Sequence, residues 1–322
     1  MSIMNVHLSF DIEVWCNGWN NLDGAFPASF ERYVYGRSAH GDYALPKTIE
    51  ILNCHGLTGV FFVEPLFSAR FGPQHLKTIV GMLRDGGQEV QLHLHPEWTD
   101  EISPPIIENC QNKRQHLTYY TQDEQTALIG CGRELLEAAG SGEISAFRSG
   151  NFAANLDTFE ALARNGILID SSVNRCCDVS ARDLPHERQS DTPFKVGAVL
   201  SYPISVFRDG LGRDRQAQLG ACSFFELRDA MQSARDAGIS DFVIVSHNFE
   251  MLKQDSCDAD RIVARRFERL CAYLAEHVTD LPVVPYGGGS PPQRTDENET
   301  GPHATILSTL TRYAEQAARR LL

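Results

Sequence analysis

Asp11 and Glu13, His93 and His95, Arg148 with Asn151, Asp170, and His247 are the side chains of this sequence able to bind a cation or move a proton. In an extended segment, residues i and i+2 face the same way. Asp11 and Glu13 therefore share one side of their segment, and His93 and His95 share one side of theirs. Two imidazoles and a carboxylate make a facial ligand set for Zn²⁺ or another first-row divalent ion, with positions left for water and substrate. Such an ion polarises a carbonyl and acidifies a water, a second carboxylate takes the proton, and a separate histidine protonates the leaving group. Asp11 and Glu13 can divide the carboxylate tasks, and His247 suits the last one. Arg148 would orient Asp11 by a bidentate bond. Asp170 would meet substrate or cap the turn after it. Trp15, Trp19 and Trp98 lie nearby in sequence, and aromatic faces stack on sugar rings. Trp15, Trp98, Asn151 and Asp170 are thus the candidate substrate contacts.

These residues need elements that bring them to one rim. Apolar, β-branched runs predict strands over 6–13, 58–64, 89–95, 144–149, 167–171, 198–204, 242–247 and 282–285. Amphipathic stretches predict helices over 46–54, 74–84, 122–139, 156–164 and 258–276, with another opened by Ser223-x-x-Glu226. Thr121-x-x-Glu124 is a capping box, and Gly56, Gly86-Gly87 and Gly166 are stop signals. Strands alternating with helices give an α/β fold, a barrel of about seven to eight parallel strands with helices outside. An open doubly wound sheet is the second choice. In either, strand C-terminal ends build the active site, and that is where the acidic, imidazole and guanidinium groups fall.

Two polar excursions, 17–42 and 174–196, are expected to be loops over the site. Gly287-Gly288-Gly289 has no Walker lysine and is read as a turn. The catalytic unit is placed at 1–289, a flexible linker at 290–302 and an amphipathic helix at 303–322. The helix carries the apolar stripe Ile306, Leu307, Leu310, Tyr313, Ala314, Ala317, Leu321, which must pack on the body or form a homo-oligomer contact.

A formal charge of −13 over 322 residues excludes nucleic acid and anionic lipid as main partners. Apolar runs such as Gly59 to Val63 are too short to span a bilayer, and residues 1–15 lack the features of a secretory signal. The expectation is a cytoplasmic protein without a membrane span. Nine cysteines without a CxxC pair are expected to be reduced and mostly buried.

The motifs resemble, in order, those of the polysaccharide deacetylase family with the NodB homology domain, carbohydrate esterase family 4. Ser9-Phe10-Asp11 resembles the TFDD strand, Glu89 to His93 the histidine motif, and Phe147 to Asn151 the arginine motif. Leu168 to Ser172 resembles the YDSS strand, Leu200 to Ile204 the apolar strand with its proline, and Val243 to His247 the LxLH motif. Leu45 to Val63 resembles the family's helix and TFF strand, so the likeness covers about residues 5–289. It implies a distorted (β/α) barrel, a divalent metal ion, and hydrolysis of an N-acetyl group on an amino sugar. Asp11 matches the general base, Arg148 its tether, His247 the general acid and His93 the first histidine ligand. Two departures stand out. Ile12 replaces the metal-binding aspartate, so Glu13 must substitute or Asp11 must ligate; the second histidine is His95, and Glu97 stands where the family has that histidine.

The resemblance makes Zn²⁺ the first choice, with Co²⁺, Ni²⁺ or Mn²⁺ as alternatives. A cytoplasmic member implies a nucleotide-linked or lipid-linked amino sugar intermediate of lipopolysaccharide O-antigen or capsule assembly. The loop arginines Arg175, Arg182, Arg188, Arg208, Arg213 and Arg215 would meet its phosphates. Two other readings remain: an amide hydrolase acting on small cyclic amides or ureides, and a metal-free, sugar-binding pseudoenzyme.

Overall fold

The computed structural model describes residues 3–108, 110–185, 187–254, 256–286 and 301–321. The predicted turn at Gly287-Gly288-Gly289 and nearly all of the predicted linker lie outside the described residues. The chain divides into two compact units. The first takes the described residues of Met1–Gly59, Ser205–Pro285 and Gln293–Leu322, and the second those of Val60–Ile204 and Tyr286–Pro292.

In the first unit, strand Asn5–Ile12 pairs in parallel with Asp241–His247, in a register that sets Asp11 opposite His247. Val6, Leu8, Phe10 and Ile12 alternate with His7, Ser9 and Asp11, and all are buried. The polar side is satisfied internally: His7 bonds Asp241 at 3.0 Å and Ser9 donates to the Ile244 carbonyl. Asp11 thus ends a polar, buried face. Residues 282–285 do not form the predicted strand. Val283 makes an isolated bridge to Val6, and the flanking Pro282 and Pro285 supply no N–H for a ladder.

Helices Leu45–Cys54, Phe224–Asp236, Arg261–Glu276 and Ile306–Leu321 belong to this unit. The Ser223/Glu226 capping box forms as expected, and Asp260 caps the third helix by accepting from Ile262 and Val263. The stretch 17–42 is not the expected loop. It contains helix Leu22–Phe30, continued by a wide turn at Glu31–Tyr35, and a small hairpin of Arg37–Ser38 with Gly41–Asp42.

In the second unit, strands run in the order Val60–Val63, Glu89–Leu94, Ala146–Ser149, Ile169–Asp170, Val199–Ser201, Phe194–Val196. All neighbours are parallel except the last pair. Val60 to Val63 is wholly buried, as expected of a parallel strand covered on both faces. Helices Pro73–Asp85, Gln122–Ala139 and Leu156–Arg164 connect the strands. The Thr121/Glu124 box is present, and Asn155 and Thr158 form a second one.

The terminal helix packs on its own unit with its polar side, and of the two expected places for its apolar stripe the body of the unit is not the one taken. Ser308, Thr309 and Arg312 are buried, whereas Ile306, Leu307, Leu310 and Tyr313 are exposed. All nine cysteines are free thiols, and only Cys16, Cys222 and Cys271 are buried, fewer than expected. Among the described residues, no helix is long and apolar enough to cross a membrane.

Candidate functional site

Each unit carries part of the predicted constellation. In the first, Asp11, Glu13 and His247 come together where the two parallel strands end. Nε2 of His247 lies 4.0 Å from Oδ2 of Asp11. Glu13 is buried and accepts from Trp15 Nε1 at 2.6 Å, so this tryptophan aims its polar edge at the carboxylate. Asn248 fixes the backbone here: its amide donates to the Glu13 carbonyl, its carbonyl accepts from the Glu13 N–H, and its N–H reaches the Asp11 carbonyl.

Sequence reasoning missed Glu250. Nδ1 of His247 lies 3.0 Å from its Oε1, and the His247-x-x-Glu250 spacing was the available signal. Glu250 also accepts from Gln218 Nε2, Ser246 Oγ and the Gly220 N–H. Burial opposes charge on His247, but the Glu250 hydrogen bond and the Glu13, Glu250 and Asp11 carboxylates outweigh it, and its pKa rises to about 9. The result is an imidazolium held at neutral pH with Nε2 unclaimed by Glu250.

In the second unit, His93 stands near the end of its strand opposite Arg148 in register. Its Nδ1 is 2.8 Å from the Arg148 carbonyl oxygen. A carbonyl only accepts, so Nδ1 carries a proton in this bond. His95 repeats the pattern with a side chain, Nδ1 lying 3.2 Å from Oε2 of Glu97. The two rings are buried, with centroids 4.8 Å apart and planes at 79°. Both imidazoles are oriented through Nδ1, as histidines that ligate a first-row divalent ion commonly are. Gly150 makes this packing feasible, because a Cβ there would sit 2.7 Å from the His95 ring.

Arg148 is fully buried. It donates to the Ser171 carbonyl and hydroxyl, has the Tyr286 hydroxyl at 3.4 Å, and lies over the Phe62 ring. Glu64, not singled out from the sequence, accepts from the Leu66 and Phe67 N–H groups. Burial lifts its pKa to about 8, so it is a neutral acid near pH 7.

The candidate substrate contacts divide. Asn151 is exposed in a left-handed conformation with φ 55°, and Trp15 is partly exposed. Trp98 and Asp170 are buried, as are His93 and His95. Trp98 is buried edge-on to Phe71, and Asp170 is fully buried, accepts from Ser201 and has its pKa raised by burial. Among the loop arginines, Arg175 is engaged by Asp191 and Arg215 by the Ala221 carbonyl, while Arg208 is mostly exposed beside Asp214.

No family model matches the chain. Nor does any curated protein. Among solved structures it is similar to a protein from Mycobacterium smegmatis assigned as a polysaccharide deacetylase, with TM-score 0.55 and 20% identity over 91% of this chain and 96% of that one. A family 4 carbohydrate esterase from Streptomyces lividans matches with TM-score 0.39 and 14% identity over 85% and 89% of the two chains. A family 4 pseudoenzyme from Bacillus anthracis gives 0.38 and 14% over 86% and 62%. The first likeness shows the fold: the chain is built as the distorted (β/α) barrel expected from its motifs.

Proposed function

We propose that this protein is a cation-dependent amide hydrolase that removes an acetyl or similar acyl group from the nitrogen of an amino sugar. The observation that carries the reading is the pair His93 and His95, two buried imidazoles each anchored through Nδ1. The fold likeness to a protein assigned as a polysaccharide deacetylase supports it. His93, His95 and Glu13 are assigned as the ligands. A bound Zn²⁺, or Co²⁺, Ni²⁺ or Mn²⁺, supplies Lewis acidity toward the amide carbonyl and toward water.

Asp11 is assigned as general base, accepting a proton from water as the water oxygen bonds to the acyl carbon. Arg148 is assigned as its tether, aiming the carboxylate. His247, protonated through Glu250, gives its proton to the amide nitrogen as the carbon–nitrogen bond breaks. The products are a carboxylate and a free amino sugar. Asp11 ends the turnover with the proton that His247 lost, and transfer through solvent restores both. Trp15 and Asn151 are assigned to the sugar.

The substrate we assign is a nucleotide- or lipid-linked N-acetyl amino sugar, an intermediate of surface-polysaccharide assembly in the cytoplasm. Arg208 is mostly exposed, and its guanidinium suits a substrate phosphate. The test is acetate release from N-acetylated amino sugars, free and as nucleoside diphosphate conjugates. Wild type should release acetate and Asp11→Asn should fold yet lose nearly all turnover. Turnover of cyclic amides with no acetate from any sugar would overturn the assignment.

A further inference from the structure

The terminal helix Ile306–Leu321 is fastened by its polar side. Arg312 reaches Glu226 at 2.9 Å and Asp209 at 2.8 Å, both carboxylates with fully buried side chains. Arg319 pairs with Asp260 and Glu315 with Arg266, and the Thr309 hydroxyl accepts from the Gly210 N–H. These bonds fix the rotation of the helix, and they turn its apolar side to solvent. Ile306, Leu307 and Leu310 are 59%, 75% and 53% exposed, and Tyr313, Ala314 and Ala317 lie on the same side. Leu211, also exposed, adjoins the helix start, where Gly210 packs against Ile306. Such clustering on one side of a unit marks an interaction surface.

Three features identify the occupant. Leu307, Leu310, Ala314 and Ala317 follow the 3,4,3 spacing of a helix-pairing seam. The seam is also graded: its N-terminal half is large and its C-terminal half small. An antiparallel pair related by a two-fold axis near Ala314 sets Leu310 of each helix against the small residues of the other, and lets the backbones approach. Residues 287–300 contain no large apolar side chain that could cover the face from within the chain. The protein's strong net charge of −13 disfavours an anionic membrane.

We propose that this face docks a second copy of the chain by antiparallel, two-fold pairing of the Ile306–Leu321 helices. A helix of 16 residues is about 24 Å long and about 10 Å broad, so its stripe alone offers on the order of a few hundred Å². That is short of the roughly 800 Å² per partner of a standard interface, so the dimer is weak and concentration-dependent, with Leu211 and its surroundings joining the contact.

Sedimentation of the full chain across a concentration series tests this. Wild type dimerises, and Leu310→Glu weakens the dimer about a hundredfold while leaving the circular dichroism spectrum unchanged. Under mild oxidation Ala314→Cys forms a cross-linked dimer above the wild-type background. Leu307→Cys does not cross-link to its own copy, because the two positions lie about 20 Å apart in the antiparallel pair. A wild type that stays monomeric at all concentrations, a dimer indifferent to Leu310→Glu, or self-cross-linking of Leu307→Cys in place of Ala314→Cys would overturn the proposal. So would a monomer that pellets with phosphatidylcholine and phosphatidylglycerol vesicles, which would make the face a membrane contact.

Discussion

Nδ1 of His247 lies 3.0 Å from Oε1 of Glu250, a carboxylate that also takes hydrogen bonds from Gln218, Ser246 and the Gly220 backbone. A carboxylate held this firmly fixes both the orientation and the charge of the imidazole. Burial resists that charge, but the surrounding carboxylates prevail, and His247 is raised to about 9. The alkaline limb of kcat/KM should therefore lie well above the ordinary imidazole value of about 6.5. Glu250→Gln should move the limb toward that value and cut turnover at pH 8 roughly 30-fold by loss of the proton alone. A pH profile of both proteins checks this; an unmoved limb would mean that His247 is not the group reported.

The same pair has a stability consequence. The folded-state value of about 9 lies above the unfolded value of about 6.5, so its stabilisation is complete below about 6.5 and is lost as pH rises through about 9. Denaturant titrations of metal-stripped wild type and His247→Ala should differ most at pH 6 and converge by pH 10.

Glu97 and Gly150 hold His95 from two sides. Glu97→Ala removes the acceptor from Nδ1 and should cost about 10- to 100-fold in cation affinity, read by calorimetric titration with Zn²⁺ or Co²⁺. Gly150→Ala places a methyl group 2.7 Å from the ring, and should lower cation affinity and melting temperature together. Normal affinity in both variants would detach His95 from the cation.

Arg312 tests how the terminal helix is held. Its fork spans Asp209 and Glu226, whose side chains are fully buried. Arg312→Ala leaves two buried carboxylates without their cation and should destabilise the fold by about 3–5 kcal/mol in chemical denaturation. Arg312→Lys should rescue only part, since a single ammonium cannot reproduce the fork.

Where local chemistry specified an element, it could be read directly. Thr121 with Glu124 and Ser223 with Glu226 form the reciprocal caps their spacing implies. Helix Leu22–Phe30 was hidden because Gly24 and Pro27 interrupt it and no side chain caps its start. It forms through burial of Leu22, Phe26 and Phe30, a tertiary cause that local propensity does not carry. Asp11 with Glu13 and His93 with His95 were visible through the period-two rule. The burial of Trp98 and Asp170 was not legible in the sequence, because it depends on neighbours distant in sequence, among them Phe71 and Ser201. The terminal helix showed its stripe plainly, but only the buried partners of Arg312 reveal that this stripe faces outward.

If His93 and His95 hold a divalent cation used in amide hydrolysis, the metal content of the protein purified without chelators will show it. Wild type should carry about one divalent ion per chain and the folded His93→Ala/His95→Ala double variant essentially none, with acetate release falling in parallel. A wild type that carries no metal and binds no added Zn²⁺, Co²⁺, Ni²⁺ or Mn²⁺, or a double variant that keeps its ion, would contradict it.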